Sequence, residues 1–290
     1  MKLRIIWSVI VLVLLVSVSS LFAASPVWKI SKGDARLYIG GTIHVLSKTD
    51  YPLPAGFDTA YKQAVQLVFE TDMQKMTAPE TQQLVLQQVI YNDGRNLKQV
   101  LNQQTFQELA QYLATRKIPV AEVVGLKPGM LAVTLTMVEL QRLGMGGTGV
   151  DSFYQAQALG DHKRLGQLEA VEEQVGFLAT LGEGYENELI SYTLRDIKDL
   201  PRIMPLIKAA WRQGDLPRLH ELALAPLKQE FPPLYQTLIV KRNKAWMPRI
   251  EAMLKTAEVE FVLVGALHLV GDDGLLAQLA ARGYQVQKLD

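Results

Sequence analysis

The stretch Phe261-Val262-Leu263-Val264-Gly265-Ala266-Leu267-His268-Leu269-Val270-Gly271 is a short apolar, β-prone run that stops at a glycine and carries a histidine three residues beyond it. It has a near copy toward the other end of the chain, Leu37-Tyr38-Ile39-Gly40-Gly41-Thr42-Ile43-His44-Val45. A single Gly-x-x-His after a strand arises by chance in many chains. Two in matched contexts read as the two halves of one site.

Two further predicted strands end in carboxylates: the apolar residues 67–69 stop at Glu70, and residues 163–168 stop at Glu169. Four predicted strands therefore end in His44, Glu70, Glu169 and His268. Laid side by side in a parallel or mixed sheet, their ends meet at the crevice where open α/β folds bind ligands.

The rest of the chain supplies the frame. Residues 27–30 and 35–39 flank the turn-rich Ser31-Lys32-Gly33-Asp34 and predict a β-hairpin whose second strand delivers His44. Residues 47–57, with Pro52, Pro54 and Gly56, predict a loop over the site. A helix over 59–66 leads into the strand before Glu70. Residues 79–143 read as a helical insertion, followed by the glycine cluster 144–149 and a helix over 152–159 with Asp151 as N-cap first and ligand second. A second helical region covers about 171–256, with breaks expected at Pro201, Pro217, Pro226 and Pro232-Pro233. A helix over 275–281, capped by Gly283, and a strand over 284–289 close the chain.

Composition limits the function classes. The 290 residues are 49% hydrophobic and 20% charged, as in an ordinary globular protein. A formal net charge of +1 with no dense basic tract argues against nucleic acid as a partner. The absence of cysteine excludes disulfides, thiol nucleophiles and Cys-ligated zinc. At the N-terminus, Lys2 and Arg4 precede the apolar run 5–16 and then Leu21-Phe22-Ala23-Ala24, which reads as a signal peptide over 1–24. Leu21 and Phe22 are bulky for an Ala-x-Ala type site, so an uncleaved anchor is the alternative. The run falls slightly short of the ~20 apolar residues that span a bilayer. Both readings export the domain, to the periplasm or beyond, free or membrane-anchored. Without Lys2 and Arg4 its formal charge moves from +1 to −1.

Two imidazoles with one or two carboxylates suit a divalent ion such as zinc, manganese, cobalt or iron. Water bound to such an ion ionises near neutral pH, and a surplus carboxylate accepts its proton. Blander readings stand beside these. Glu70 can be a solvated strand terminus with Asp72 as a cap, and Glu169 can belong to a charged first helical turn with Glu172 and Glu173. His162 and His220 read as surface residues. Arg242 and Asn243 are candidates for binding substrate, with Arg242 also able to order Glu169 or to belong to a surface charge run. Other chemistries lack their motifs: there is no Gly-x-Ser-x-Gly elbow, no phosphate-loop Lys-Ser/Thr after the glycine cluster and no His-Glu-x-x-His.

Taken together, residues 37–44, Leu67-Val68-Phe69-Glu70, Gly149-Val150-Asp151, Leu168-Glu169 with Gln174, Arg242-Asn243 and residues 264–271 through 283–286 resemble the TraB/GumN (TraB/PrgY, Tiki-like) family. The resemblance implies one α/β (α+β) domain over 25–290, a central mixed sheet built from two related halves with a large helical insertion. Animal Tiki proteins of this group are regarded as metal-dependent proteases, which points to His44, His268 and Glu70 as metal ligands, with Glu70 or Glu169 catalytic. Other relatives have roles in pheromone shutdown, haem binding and erythromycin ester hydrolysis. Leu267 stands where a smaller residue is common and is expected to narrow the site. The expectation is thus an exported metal-dependent hydrolase, a peptidase first, using Mn, Co or Zn on a peptide or small-molecule substrate. A non-catalytic envelope protein that binds peptide or haem, and a scaffold with a vestigial site, are the alternatives. The oligomeric state stays open.

Overall fold

The computed structural model describes residues 25–290, so the expected leader lies outside the described residues. Its strands are β1 (Val27–Lys32), β2 (Ala35–Thr42), β3 (Val45–Leu46), β4 (Gln66–Phe69), β5 (Gly147–Thr148), β6 (Arg164–Gln167), β7 (Glu260–Gly265) and β8 (Gln285–Lys288). Six of them form one sheet in the order β6-β4-β7-β2-β1-β8. The four from β6 to β2 run parallel, joined by helical crossovers. The predicted hairpin adds β1 antiparallel to β2, and β8 pairs antiparallel with β1, which makes the sheet mixed as expected.

Both faces of this sheet are covered, and the side-chain period of two sorts its residues between them. Tyr38, Leu67, Phe69, Phe261 and Leu263 enter one core with Phe57, Tyr154 and Trp211. Leu37, Ile39, Val68, Val262 and Val264 enter the opposite core with Trp246, Ile250 and Leu279. The apolar runs are therefore continuous, as buried parallel strands require. A third core belongs to the helical insertion, where Leu109, Leu113, Leu131 and Leu135 pack against Ile190, Leu194 and Ile197.

Three expectations change, the first at Pro226, where no break occurs: the chain stays helical from Leu216 to Glu230, with a wider π-type turn over His220–Leu224 just before the proline. The helix Glu186–Arg212 runs 27 residues straight through Pro201 and Pro205. Each interior proline costs about 3 kcal/mol. Eight buried residues along this helix, Trp211 among them, outweigh that cost at roughly 1.5–3 kcal/mol for each large apolar side chain. Segment 47–57 does not line the cleft at the strand ends; Asp50 is ion-paired to Lys208 at 2.8 Å, and Arg212 donates to the Asp50 and Pro52 carbonyls, so the segment is pinned to that long helix. Among the described residues no helix is long and apolar enough to cross a membrane.

Candidate functional site

Across the carboxyl ends of the parallel strands the residues stand in the order Glu169, Glu70, His268, His44, following β6, β4, β7 and β2. Neighbouring strands are ~4.8 Å apart, so consecutive members of this row reach one another. The two Gly-x-x-His segments are direct neighbours, with Thr42 beside Gly265 in register. The Glu169 amide donates to the Glu70 carbonyl at 2.8 Å, carrying the β4–β6 pairing one step into the site.

Arg242, on the helix Lys241–Met253, joins three of the four. Its Nη2 donates to Glu70 Oε2 at 2.6 Å and to Glu169 Oε1 at 2.7 Å, its Nε donates to Glu169 Oε2 at 3.2 Å, and its Nη1 lies 3.2 Å from His268 Nε2. The guanidinium stacks on Trp246 at 4.5 Å, and the Trp246 indole donates to Glu169 Oε2 at 3.0 Å. Gln174 adds a fourth donor to Glu169 at 3.2 Å. Glu169 is thereby saturated, whereas Glu70 takes one bond on each oxygen, the second from the Gly265 amide at 2.7 Å. Burial alone raises the Glu70 carboxyl, but the positive charges of His268 when protonated, of Arg242 and of His44 outweigh it and hold the group at about 2.

The two histidines are oriented by different partners. Asn243 is fully buried, and its Nδ2 donates to the His268 and Asp273 carbonyls, so its Oδ1 must accept. His268 Nδ1, 2.7 Å away, carries the proton, and Nε2 presents its lone pair to Arg242. Burial lowers the His268 imidazole to about 4. His44 is exposed, with Nδ1 2.9 Å from Asp151 Oδ2. The Asp151 carboxylate raises it to about 9, a pull that solvent partly screens.

Asp151 is placed by backbone contact. The N-cap of its helix is Gly149, and the Asp151 carboxylate accepts from Thr42 Oγ1 at 3.0 Å as well as meeting His44. The expected capping role is replaced by this clamp. A Cβ on Gly149 would sit 2.0 Å from the His44 carbonyl oxygen, so only glycine lets the helix start this close to the first histidine. The short β3–β5 ribbon pairs the segment after His44 with the glycine cluster and fixes the approach.

The donors face one small space. A Cβ on Gly265 would meet Glu70 Oε1 at 3.3 Å, His44 Nε2 at 3.5 Å and the His268 ring at 3.7 Å. A cleft of about 290 Å³ opens beside His44 and Glu70, walled by Phe69, Met73 and Met76. Leu267 does not narrow it; that side chain lines a separate apolar groove of about 430 Å³ between the helices. His162 is exposed and His220 half-buried, and neither takes part in the hydrogen bonds above.

All six residues singled out from the sequence, His44, Glu70, Glu169, Arg242, Asn243 and His268, thus fall in one cluster. Asp151 and Trp246 complete it; the sequence reads Asp151 as a cap first and a ligand second, and does not single out Trp246. Asp151 had a signal in Gly149-Val150-Asp151; Trp246 had none beyond standing one helical turn after Arg242. Comparison with curated proteins and with solved structures finds no match. The model of the TraB/PrgY/gumN family matches residues 26–288, and the chain belongs to that family.

Proposed function

We propose that the protein is an exported metal-dependent hydrolase acting first on peptides, with a divalent ion such as Mn, Co or Zn held by His44 Nε2, His268 Nε2 and Glu70 Oε1. The observation that carries this reading is the convergence of His44 Nε2, Glu70 Oε1 and the edge of the His268 ring at Cδ2 on the space left by the missing Cβ of Gly265. The donor chemistry fits. Each imidazole has its Nδ1 committed to an acceptor, Asp151 Oδ2 or Asn243 Oδ1, which turns Nε2 toward the site; His44 Nε2 is open to ligate, and His268 Nε2 would ligate once Arg242 Nη1, 3.2 Å away, gives it up. Glu70 Oε1 lies 3.9 Å from His268 Nε2, near the ~3.4 Å edge of a tetrahedral set of ~2.1 Å bonds. The N-terminal pattern of residues 1–24 supports export.

When bound, such an ion polarises a carbonyl and acidifies water. The protein's own residues supply orientation and charge. Arg242 helps keep Glu70 ionised, holds Glu169 by two hydrogen bonds, and keeps Glu70 Oε2 away from the shared space, so that Oε1 faces it. Asn243 and Asp151 set the imidazole tautomers. Arg242 and Asn243 act here as positioning residues, because their donors are spent on the cluster. Glu169 buttresses Arg242 and acts through it.

Metal content of the purified protein, measured beside His44→Ala and His268→Ala, tests this. Wild type is expected to retain a divalent ion and both variants to lose it; equal content in all three sinks the site. One observation favours a non-catalytic protein that holds peptide or haem: Arg242 Nη1 occupies the His268 Nε2 lone pair. That alternative gains if the wild type retains a ligand but turns over no member of a peptide library supplied with Mn, Co or Zn.

A further inference from the structure

We infer that the cleft beside His44 and Glu70 is a specificity subsite for one apolar side chain of the substrate, with the Thr71 hydroxyl as the group that meets the substrate's adjoining polar backbone. The inference rests on the reading of His44 and Glu70 as the reacting centre. Its own support is in the cleft wall.

At about 290 Å³ the cleft lies at the lower limit of small-molecule sites, room for one side chain rather than an extended ligand. Its wall beyond the charged residues is Phe69, the last residue of β4, and Met73 and Met76 from the short helix that follows Glu70. The two methionines stand three apart, one above the other on the face turned to the cleft, and both are half-buried. Unbranched thioethers adapt to branched or planar apolar groups and make favourable contacts with aromatic rings. The wall is anchored at both ends: Asp72 accepts from the Lys75 amide at 2.9 Å, and Lys75 Nζ donates to Glu172 at 2.6 Å on the neighbouring helix.

Thr71 supplies the second observation. It lines the same cleft, is buried, and its Oγ1 has no hydrogen-bond partner. A buried hydroxyl left unpaired is costly, and such groups in folded proteins call for an explanation. The oxygen is closed to solvent as it stands, and a turn of the Thr71 side chain about χ1 would bring it to a carbonyl or amide of a ligand seated between Phe69 and the methionines. Because Thr71 follows Glu70 directly, that bond would register the substrate backbone against the reacting centre.

The test reads binding without turnover. In the full-length protein labelled with 13C-methyl methionine, N-acetyl-phenylalaninamide is expected to shift the Met73 and Met76 signals saturably. N-acetyl-aspartate should bind at least about tenfold more weakly. Thr71→Val should lower phenylalaninamide affinity by about tenfold while leaving the melting temperature unchanged or raised, since an orphan hydroxyl is removed. Met76→Glu, at a half-exposed position, should abolish the binding. Equal shifts with both compounds, no saturable shift, or full affinity in both variants overturns the subsite. Saturable binding together with no hydrolysis of any peptide keeps the subsite and retires the hydrolase reading. Hydrolysis without preference for an apolar residue does the reverse.

Discussion

The two Gly-x-x-His segments share a sequence pattern and a place in the sheet, yet they present their histidines in opposite electrostatic states. His44 is 64% exposed by its side chain and leans on a carboxylate; His268 is 7% exposed and is held by an amide, with a guanidinium on its other nitrogen. One imidazole is raised to about 9 and the other lowered to about 4. Proton affinity is therefore decided by what the tertiary structure sets beside each ring. The motif delivers an imidazole to the site from both sides. Only the surroundings decide which side is rigid and neutral and which is open and basic.

Arg242 belongs to the His268 side alone, and its loss is the harshest way to break the comparison. Arg242→Leu strips the shared cation from two buried carboxylates and is expected to cost about 3–5 kcal/mol in urea denaturation. A loss under about 1 kcal/mol would mean that water replaces the guanidinium and that the two sides are less different than their burial indicates.

Acid should expose the asymmetry next. His268 is depressed in the folded state, so its contribution is complete above the ordinary histidine value of ~6.5 and is lost as pH falls through about 4. The loss amounts to about 3 kcal/mol in metal-free protein. Glu70, held at about 2, extends the decline below pH ~4.5. His44 works in the opposite sense: its contribution is complete below ~6.5 and fades as pH rises through about 9, and exposure keeps it small. Stability followed against pH should therefore fall steeply only on the acid side. His268→Gln should flatten the segment between pH ~6.5 and ~4, and an unchanged slope there would assign it to other groups.

The gentlest change sharpens the comparison from the His44 side. Asp151→Asn makes the first histidine's support resemble that of the second, and NMR titration should find the His44 pKa returning from about 9 toward ~6.5. Stability should move by less than about 1 kcal/mol, because the ring is exposed. If the proposed divalent ion binds there, its affinity should fall roughly 10–100-fold. A His44 that still titrates near 9 would show that Asp151 does not set its charge.

Much of this site was legible in the chain. Apolar runs that stop at Gly or Glu announce the buried strands β2, β4 and β7, and with the polar edge strand β6 their ends predict a crevice at one edge of a sheet. Arg242 was legible as a candidate, with its ordering of Glu169 among the options, but its reach to Glu70 and His268 spans 172 and 26 residues of sequence and has no local trace. Asp151 carried a helix-start signal and was read as a cap, since capping is what an Asp does locally. Gly149 backing onto the His44 carbonyl turned it into a histidine clamp. Pro201 carried a break signal that burial along the long helix overrode.

By itself, then, the sequence determined the strand-end residues, the mixed sheet with its helical insertion and the family, because periodicity and glycine placement are local constraints on backbone and burial. The tertiary structure decided the strand order that lines up Glu169, Glu70, His268 and His44, the guanidinium that binds the first three, and the opposite charge preferences of two histidines with one motif. Those depend on desolvation and on charges a few ångströms away that lie far apart in sequence, and such terms exist only once the chain has packed.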